Sequence, residues 1–299
     1  MNKMSTGYKI FTAFNILFML GLAVVMLYPY LHTLAQALND ATDTQLGGLT
    51  IWPRQFTMAN IMAILRQDRM INAFIISVAR VVVGTVIALV VQFGAAYAFV
   101  KKDLFGRRFF LLFLTIPMFI SGGLIPQYIL FSRIGLLNNF FVYILPTAFS
   151  FFNMVIIRTY LNTIPISLEE SAKIDGANEM YILARIIFPL SMPIVATILL
   201  WVAVGHWNDW TTTLFFVTNR DLHVMQFTLM QTLRESERIQ AMIREAQMQG
   251  IVLGVDQTRL TPNALIAAQT IVTTIPVIII YPFLQKYFLK GVMIGSVKE

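Results

Sequence analysis

The chain has 299 residues, of which 57% are hydrophobic and 12% are charged. Soluble domains carry about a quarter charged residues, so lipid is the expected solvent for much of this chain. The formal net charge of +7 does not indicate a nucleic-acid partner, because the positive residues sit between apolar runs and no basic stripe with interleaved aromatics occurs. Cysteine is absent and the 3 histidines are scattered, which excludes disulfides and thiolate chemistry and predicts no metal site.

Six apolar runs are long enough to cross a bilayer, which takes about 20 residues per helix. The first, at about 10–31, follows Lys3 and Lys9 like a signal peptide, but it exceeds the roughly 7 to 15 apolar residues of a signal core. We predict that it is retained as a transmembrane helix. The other five runs lie at about 71–100, 109–130, 140–160, 190–217 and 264–288.

These runs predict an all-α polytopic membrane protein with six transmembrane helices, forming a single domain over residues 1–299. Proline within a span is tolerated when neighbouring helices satisfy the freed backbone groups, and a kink is expected at each one. Such residues are Pro117, Pro146, Pro193 and Pro276.

Basic residues predict the orientation of the spans. Every lysine falls on one side of the six spans, which the positive-inside rule assigns to the cytoplasm. The chain is therefore expected in a bacterial cell membrane (inner or plasma), with both termini on the cytoplasmic side. Residues 36–70 and 218–262 are expected on the extracytoplasmic side. The lysines are Lys3, Lys9, Lys101, Lys102, Lys173, Lys286, Lys290 and Lys298.

The extracytoplasmic loop 218–262 contains a polar helical pattern from Thr232 to Gln249. No glycine or proline interrupts it, and good helix formers dominate. A loose apolar stripe would rest on the membrane bundle or contact a partner protein, and the sequence leaves both open. The stripe is Leu233, Ile239, Met242, Ile243 and Ala246.

The loop at 164–189, between the fourth and fifth spans, has the most informative pattern. Ser167 with Glu170 three residues later predicts a capping box at the start of a helix. Asp175-Gly176 predicts a turn, because glycine accepts backbone angles that a side chain resists. We expect two short helices joined at this glycine, either as a projecting knob that fits a partner or as an interfacial helix on the membrane.

The spacing within this loop resembles the EAA signature of bacterial ABC-importer permeases, Glu-Ala-Ala-x3-Gly-x9-Ile-x-Leu-Pro. The matching positions are Glu170, Ala172, Gly176, Ile186 and Pro189, with Ser171 and Phe188 as modest departures. The wider chain resembles the maltose-type, binding-protein-dependent branch that takes up carbohydrates, including its oligosaccharide permeases. Weaker support comes from Trp207-Asn208-Asp209-Trp210 and from the closing segment 287–298.

The resemblance implies a type I importer permease fold and a role for the loop. Its first helix would dock into a cytoplasmic ATPase, with Glu170 in contact, Gly176 setting the angle, and Ala172 and Ala177 permitting close approach. The alternative for Glu170 is that it only caps its helix. The residues assigned to coupling are Glu169, Glu170, Ser171, Ala172, Asp175, Gly176 and Ala177.

The resemblance also implies partners. These are a second, non-identical permease, two cytoplasmic ATPase subunits, an extracytoplasmic solute-binding protein and a sugar. A phosphate-binding loop needs Gly-Lys followed by Ser or Thr, and no lysine here precedes either residue. The chain is therefore predicted not to be an enzyme and to hold no cofactor, with ATP and Mg²⁺ bound by the ATPase.

Polar residues within the spans are candidates for the solute pathway, since such residues face the bundle interior or a cavity. For each of them a hydrogen bond between helices is the more common role. Sugars are often held by aromatic faces and hydrogen bonds, which favours the cluster near Asp209. The pathway candidates are Asn153, Trp207, Asn208, Asp209 and Trp210.

Three alternatives to a sugar importer remain at this point. A permease of the same superfamily could carry another solute, such as an amino acid, a polyamine or phosphate. An ion-driven secondary transporter should show internal repeats and buried ionisable residues, which are scarce here. A membrane enzyme would need a placed acid, base or nucleophile, and His206 with Asp209 is thin support. Outside arginines could favour an anionic sugar such as a uronide, although pairing with adjacent acids explains them better.

Overall fold

The computed structural model describes the backbone of residues 6–248 and 261–296. Within these residues the chain is all-α, and β-pairing is limited to one isolated bridge between Asn39 and Phe56. Lys3, Lys298 and the side chains of the closing segment 287–298 lie outside the described part. The α-helices are α1 (Thr6–Ala37), α2 (Ala41–Gln45), α3 (Ala59–Leu65), α4 (Asp68–Val100), α5 (Arg107–Phe119), α6 (Leu124–Arg133), α7 (Phe151–Leu161), α8 (Ser167–Ile174), α9 (Glu179–Ile182), α10 (Phe188–Leu190), α11 (Met192–Asn208), α12 (Thr211–Phe216), α13 (Met225–Met248) and α14 (Pro262–Ser296).

Three helical segments are long and apolar enough to cross a membrane alone: Gly7–Ala37, Asp68–Val100 and Asn263–Pro282. Three further pairs of helical segments meet the same criterion when each bent pair is taken as one span, which gives up to 6 candidate spans. The predicted all-α fold with six membrane helices is thereby confirmed. Long apolar runs are a local property of the chain, so the sequence alone could locate them.

The predicted third span, 109–130, is not one straight helix. Helices α5 and α6 meet at an angle of 114°. Pro117 lies in the last turn of α5, and Gly123, with a φ of +83°, precedes α6. A residue with a side chain resists that backbone angle, so glycine lets the chain turn sharply here.

The other prolines have different effects. Pro146 lies in a 3₁₀ helix, Leu145–Thr147, within a pair bent by 49°. Pro193 is the second residue of α11, just after a bend of 83°, and in this first turn its missing N–H costs no helical hydrogen bond. Helix α14 continues through Pro276 without a break. The predicted fifth span, 190–217, is interrupted between α11 and α12.

The chain forms two compact units. One comprises Met1–Asp68 with Leu229–Ile275, and the other comprises Arg69–Thr228 with Pro276–Glu299. The prediction of one permease domain over 1–299 stays a prediction. The core of the second unit contains Phe93, Met154 and Ile198, which lie on α4, α7 and α11 respectively.

In the first unit, the segment between α1 and α4 has a polar core of its own. Asn39 donates to Asp43 (2.8 Å) and accepts from the backbone N–H of Gln55 (2.7 Å). Arg54 donates to Asp43 (2.9 Å), and the buried Asn60 donates to the carbonyl of Asn39 (2.8 Å). These bonds hold a segment in which large apolar side chains such as Leu46, Trp52 and Phe56 are exposed rather than packed in a core.

The predicted helix 232–249 is found as α13, which begins earlier, at Met225. The backbone N–H of Met225 donates to the hydroxyl of Ser77 (2.8 Å), which satisfies one of the free donors at the helix start. Ile239 and Met242 of the predicted stripe are exposed. Gln249 and the side chains of Ile243 and Ala246 lie outside the described residues.

Candidate functional site

Helix α8, within the loop 164–189, starts differently from the prediction. Its N-cap is Ile166, whose carbonyl accepts from the N–H groups of Glu169 (3.0 Å) and Glu170 (3.1 Å). Ser167 is already inside the helix, and no side chain caps it. The predicted capping box of Ser167 and Glu170 is therefore wrong, because backbone bonding starts the helix one residue earlier. The two glutamates instead complement the positive end of the helix dipole.

The predicted glycine turn at the end of α8 is confirmed. Gly176 has a φ of +81°. Its N–H donates to the carbonyl of Lys173 (3.0 Å), and the N–H of Ala177 donates to the carbonyl of Ala172 (3.0 Å). This pair of bonds is a Schellman motif, which ends a helix and redirects the chain. Asn178, which the prediction missed, then caps α9 by accepting from the N–H of Tyr181 (2.8 Å).

The base of the loop is bound to the end of α4 by charged groups. The Lys101 ammonium pairs with the Glu169 carboxylate and lies 3.2 Å from that of Glu179. Glu179 also accepts from the Tyr97 hydroxyl (2.7 Å) and pairs with Lys173 (2.5 Å). Sequence reasoning found only Lys101, as an orientation residue, because Lys101 and the loop carboxylates that it contacts are distant in the chain.

The environment of Lys101 favours its charged form. Burial disfavours the ammonium, but its hydrogen bonds with Glu169, Tyr97 and Glu179 outweigh this effect and raise the pKa of Lys101 above its ordinary value. The ammonium also lies 4.4 Å from the centre of the Tyr97 ring, a favourable cation–π geometry. The Lys101 ammonium therefore remains charged throughout the physiological pH range.

The predicted coupling residues divide between two faces of the loop. Ala172 is buried against the core of its own unit, and Ala177 is partly buried there. Glu170, Ser171 and Asp175 are exposed. The first face fixes the loop to the membrane helices, and the second remains available to a partner.

Exposed apolar side chains accompany these polar groups. Ile174 is 86% exposed and Met180 is 73% exposed, and both belong to short helices of the loop, outside the predicted spans. Large apolar side chains exposed on a structured loop are typical of a docking surface or of a membrane interface.

The second candidate site surrounds Asp209, at the break between α11 and α12. Asp209 pairs with Arg80, which is 1% exposed, and its backbone carbonyl accepts from Arg80 Nη1 (2.7 Å). Its carboxylate also accepts from the N–H of Thr211 (3.0 Å). The guanidinium of Arg80 stacks 4.6 Å from the centre of the Tyr143 ring. Asp209 therefore anchors a helix break to α4, as expected for a hydrogen bond between helices.

The other pathway candidates are dispersed. Trp207 is buried and packs edge-on against Phe74, with 6.4 Å between ring centres. Asn208 is exposed and accepts from Gln226 (3.3 Å). Trp210 packs against the core around Tyr143, and Asn153 is partly buried on α7. The structure thus does not gather these residues around one cavity.

No metal-binding cluster of three or more His, Cys, Asp or Glu side chains occurs among the described residues.

Comparison with known proteins identifies the family. Residues 81–294 match the family described as "Binding-protein-dependent transport system inner membrane component". The chain belongs to this family. The resemblance predicted from the EAA-like spacing is therefore confirmed, and the chain is an inner-membrane permease.

Similar proteins cover nearly the whole permease. The polygalacturonan/rhamnogalacturonan transport system permease protein YtcP of Bacillus subtilis (strain 168) is 33% identical, over 94% of this chain and 96% of that protein. Protein LplC of the same organism is 33% identical, over 97% and 95%. A chain in the crystal structure of a bacterial ABC transporter involved in the import of the acidic polysaccharide alginate matches with a TM-score of 0.84 and 25% identity, over 96% of the permease and 100% of that chain.

Proposed function

We propose that this permease is one membrane subunit of an ABC importer that moves an acidic oligosaccharide, such as a uronide-containing one, into the cytoplasm. Polygalacturonan and alginate, named for two similar proteins, support this class of cargo. The proposed complex contains a second, non-identical permease, two ATPase subunits and an extracytoplasmic solute-binding protein. ATP and Mg²⁺ are bound by the ATPase, and this chain holds no cofactor.

The observation that carries the proposal is the two-faced loop at 164–189. Its inner face is tied to the end of α4 through Lys101 and Glu169, and its outer face exposes Glu170 and Ile174. A short helix fixed at its base and terminated by a Schellman turn behaves as a rigid lever. The outer face would dock on the ATPase, so that movement of the ATPase is passed to α4.

Alternating access follows from this arrangement. Closure of the ATPase around ATP would pull the loop, and α4 would move with it because the charged tie is short. The cavity between the two permeases would then open outward to receive sugar from the binding protein. The lysine distribution supports a cytoplasmic location for the loop and for both termini.

The cargo contacts are assigned from the charge pairing and exposure of the candidate residues. Arg80 is already neutralised by Asp209, so it is not the cation that receives an anionic sugar. Asn208 is the exposed member of the segment 207–210 and is the best placed to meet solute. Asn153, Trp207, Asp209 and Trp210 would shape the pathway behind it, and the partner permease would supply further groups.

Capture of the ATPase tests the docking face. Gly176→Ala forces a side chain into a positive-φ turn at a cost of about 1 kcal/mol, and Glu170→Ala removes an exposed charge. Gly135→Ala is the matched control, because Gly135 has a φ of +71° and ends α6 with the same pair of backbone bonds. We expect both loop variants to lose co-purification with the ATPase or sugar-stimulated ATP hydrolysis, and the control to keep both.

Two outcomes would contradict the proposal. If the loop variants assembled and hydrolysed ATP like wild type, the loop would be only a surface helix. If hydrolysis in the wild-type complex responded to a neutral oligosaccharide on the binding protein but not to a uronide, the importer would stand and the acidic cargo would be wrong.

A further inference from the structure

Two arginines converge on one carbonyl group where α4 ends. Arg107 Nε donates to the carbonyl oxygen of Phe99 (2.9 Å), and Arg158 Nε donates to the same oxygen (3.1 Å). Arg107 starts α5 and Arg158 lies in the last turn of α7, so three helices contribute to the cluster. The two Nε atoms consequently lie within about 6 Å of each other.

Neither member of this arginine pair has a counter-charge among the described residues. Within the described part of the chain, neither guanidinium lies within an ion-pair distance of a carboxylate, and Asp103 in the adjoining loop makes no ion pair either. Each guanidinium retains four N–H donors beyond the one used on Phe99. The first turn of α5 contains no acidic residue and also carries Arg108, so the helix dipole adds to the positive charge.

Two like charges held this close repel each other, and a partly buried site strengthens the repulsion. An anion with several oxygens would relieve it and accept the remaining donors. Arginine forks match phosphate geometry particularly well, because two N–H groups can reach two oxygens at once. The cluster therefore has the chemistry of a phosphate site.

The surroundings indicate a lipid as the source of the phosphate. Phe105 is 93% exposed and Phe109 is 64% exposed, and each lies two residues from Arg107 in sequence. Exposed aromatic side chains beside cations are typical of the membrane interface, where acyl chains cover the rings and headgroups meet the charges. A soluble anion would gain nothing from the exposed rings.

We propose that Arg107 and Arg158 form a binding site for the headgroup phosphate of an anionic phospholipid. The site itself does not depend on the proposed function, and only its leaflet rests on it. The lipid lies in the cytoplasmic leaflet if Lys101 and the loop 164–189 face the cytoplasm. The bound lipid would fill the junction of α4, α5 and α7, beside the point where the loop is tied to α4.

Native mass spectrometry of the purified full chain tests the site, with phosphatidylglycerol and phosphatidylcholine as probes. The variant is Arg107→Gln with Arg158→Gln, and the matched control is Arg133→Gln with Arg220→Gln, which removes two exposed arginines elsewhere. At about a fivefold loss per basic residue, we expect phosphatidylglycerol to bind about 25-fold more weakly to the variant, with little change for the control. The double Arg→Lys variant keeps the charge, and should retain part of the affinity if the fold is intact.

Three results would overturn the proposal. Equal retention of phosphatidylglycerol by wild type and the Gln variant would show that the arginines do not bind lipid. Binding of inorganic phosphate at this site without preference for phosphatidylglycerol over phosphatidylcholine would identify a soluble anion instead. Loss of ATPase capture with unchanged lipid binding would identify a protein contact. Gly176→Ala should leave lipid binding unchanged, so failure of the proposed importer function is distinguishable from failure of this site.

Discussion

Removing the ammonium of Lys101 should uncouple the loop from α4. The Lys101→Ala variant leaves the Glu169 carboxylate, which is 14% exposed, without its partner. Breaking a fully buried pair costs about 3–5 kcal/mol, whereas exposed pairs contribute about 0–1 kcal/mol. Since the Lys101 side chain is 23% exposed, we expect an intermediate loss of about 1–2 kcal/mol in the docking of the loop.

That loss corresponds to a roughly 5- to 30-fold increase in local opening of α8, which amide hydrogen exchange over 167–174 would measure. Sugar-stimulated ATP hydrolysis by the complex should fall with it, while hydrolysis by the ATPase alone should not. Lys101→Arg keeps the charge and should retain most coupling. Lys102→Ala is the matched control, because Lys102 is exposed and makes no ion pair within the described residues.

The same tie predicts a flat pH response. A group whose pKa is raised by folding stabilises the native state fully below its unfolded pKa, and this stabilisation is lost only as the pH rises through the higher folded value. Lys101 therefore contributes no pH dependence to loop docking between about pH 6 and about pH 9. If the Lys101→Ala variant showed the same amide hydrogen exchange in α8 and the same sugar-stimulated ATP hydrolysis as the Lys102→Ala control, the lever mechanism would be refuted.

Two predictions concern the break at Asp209. Arg80→Met should destabilise the chain by about 1–3 kcal/mol, between the costs of breaking an exposed and a fully buried pair, because it leaves the Asp209 carboxylate, which is 25% exposed, without its partner. Arg80→Met with Asp209→Leu should recover much of this loss. Thermal unfolding in detergent checks both, and equal stability of the single and double variants would contradict the ion-pair reasoning. Gly84→Ala would place a Cβ atom 2.5 Å from His206 Nε2 and should lower the free energy of unfolding by about 1–3 kcal/mol. Gly94→Ala is the control and should be near neutral, because nothing lies within 4 Å of its Cβ position. Equal melting temperatures of the two variants would show that His206 moves aside freely.

Features that depend on residues close together in the chain could be predicted from the sequence. Apolar runs of membrane length, the segregation of lysines and the spacing around Gly176 each depend on a short stretch of chain, and they sufficed for the all-α membrane fold, the family and the glycine turn. The predicted capping box did not form, because the carbonyl of Ile166 accepts from the N–H groups of Glu169 and Glu170. The helix therefore starts one residue earlier, and Ser167 lies inside α8.

Contacts between distant residues were decided by the tertiary structure. Lys101 and Glu169 are 68 positions apart, and Arg80 and Asp209 are 129 apart. No periodicity links such positions, since their approach depends on how α4 packs against the later helices. The sequence by itself thus determined what kind of protein this is and where the loop 164–189 turns at Gly176. Only tertiary packing determined which loop face is bound, that Asp209 is neutralised, and that two arginines share the end of α4.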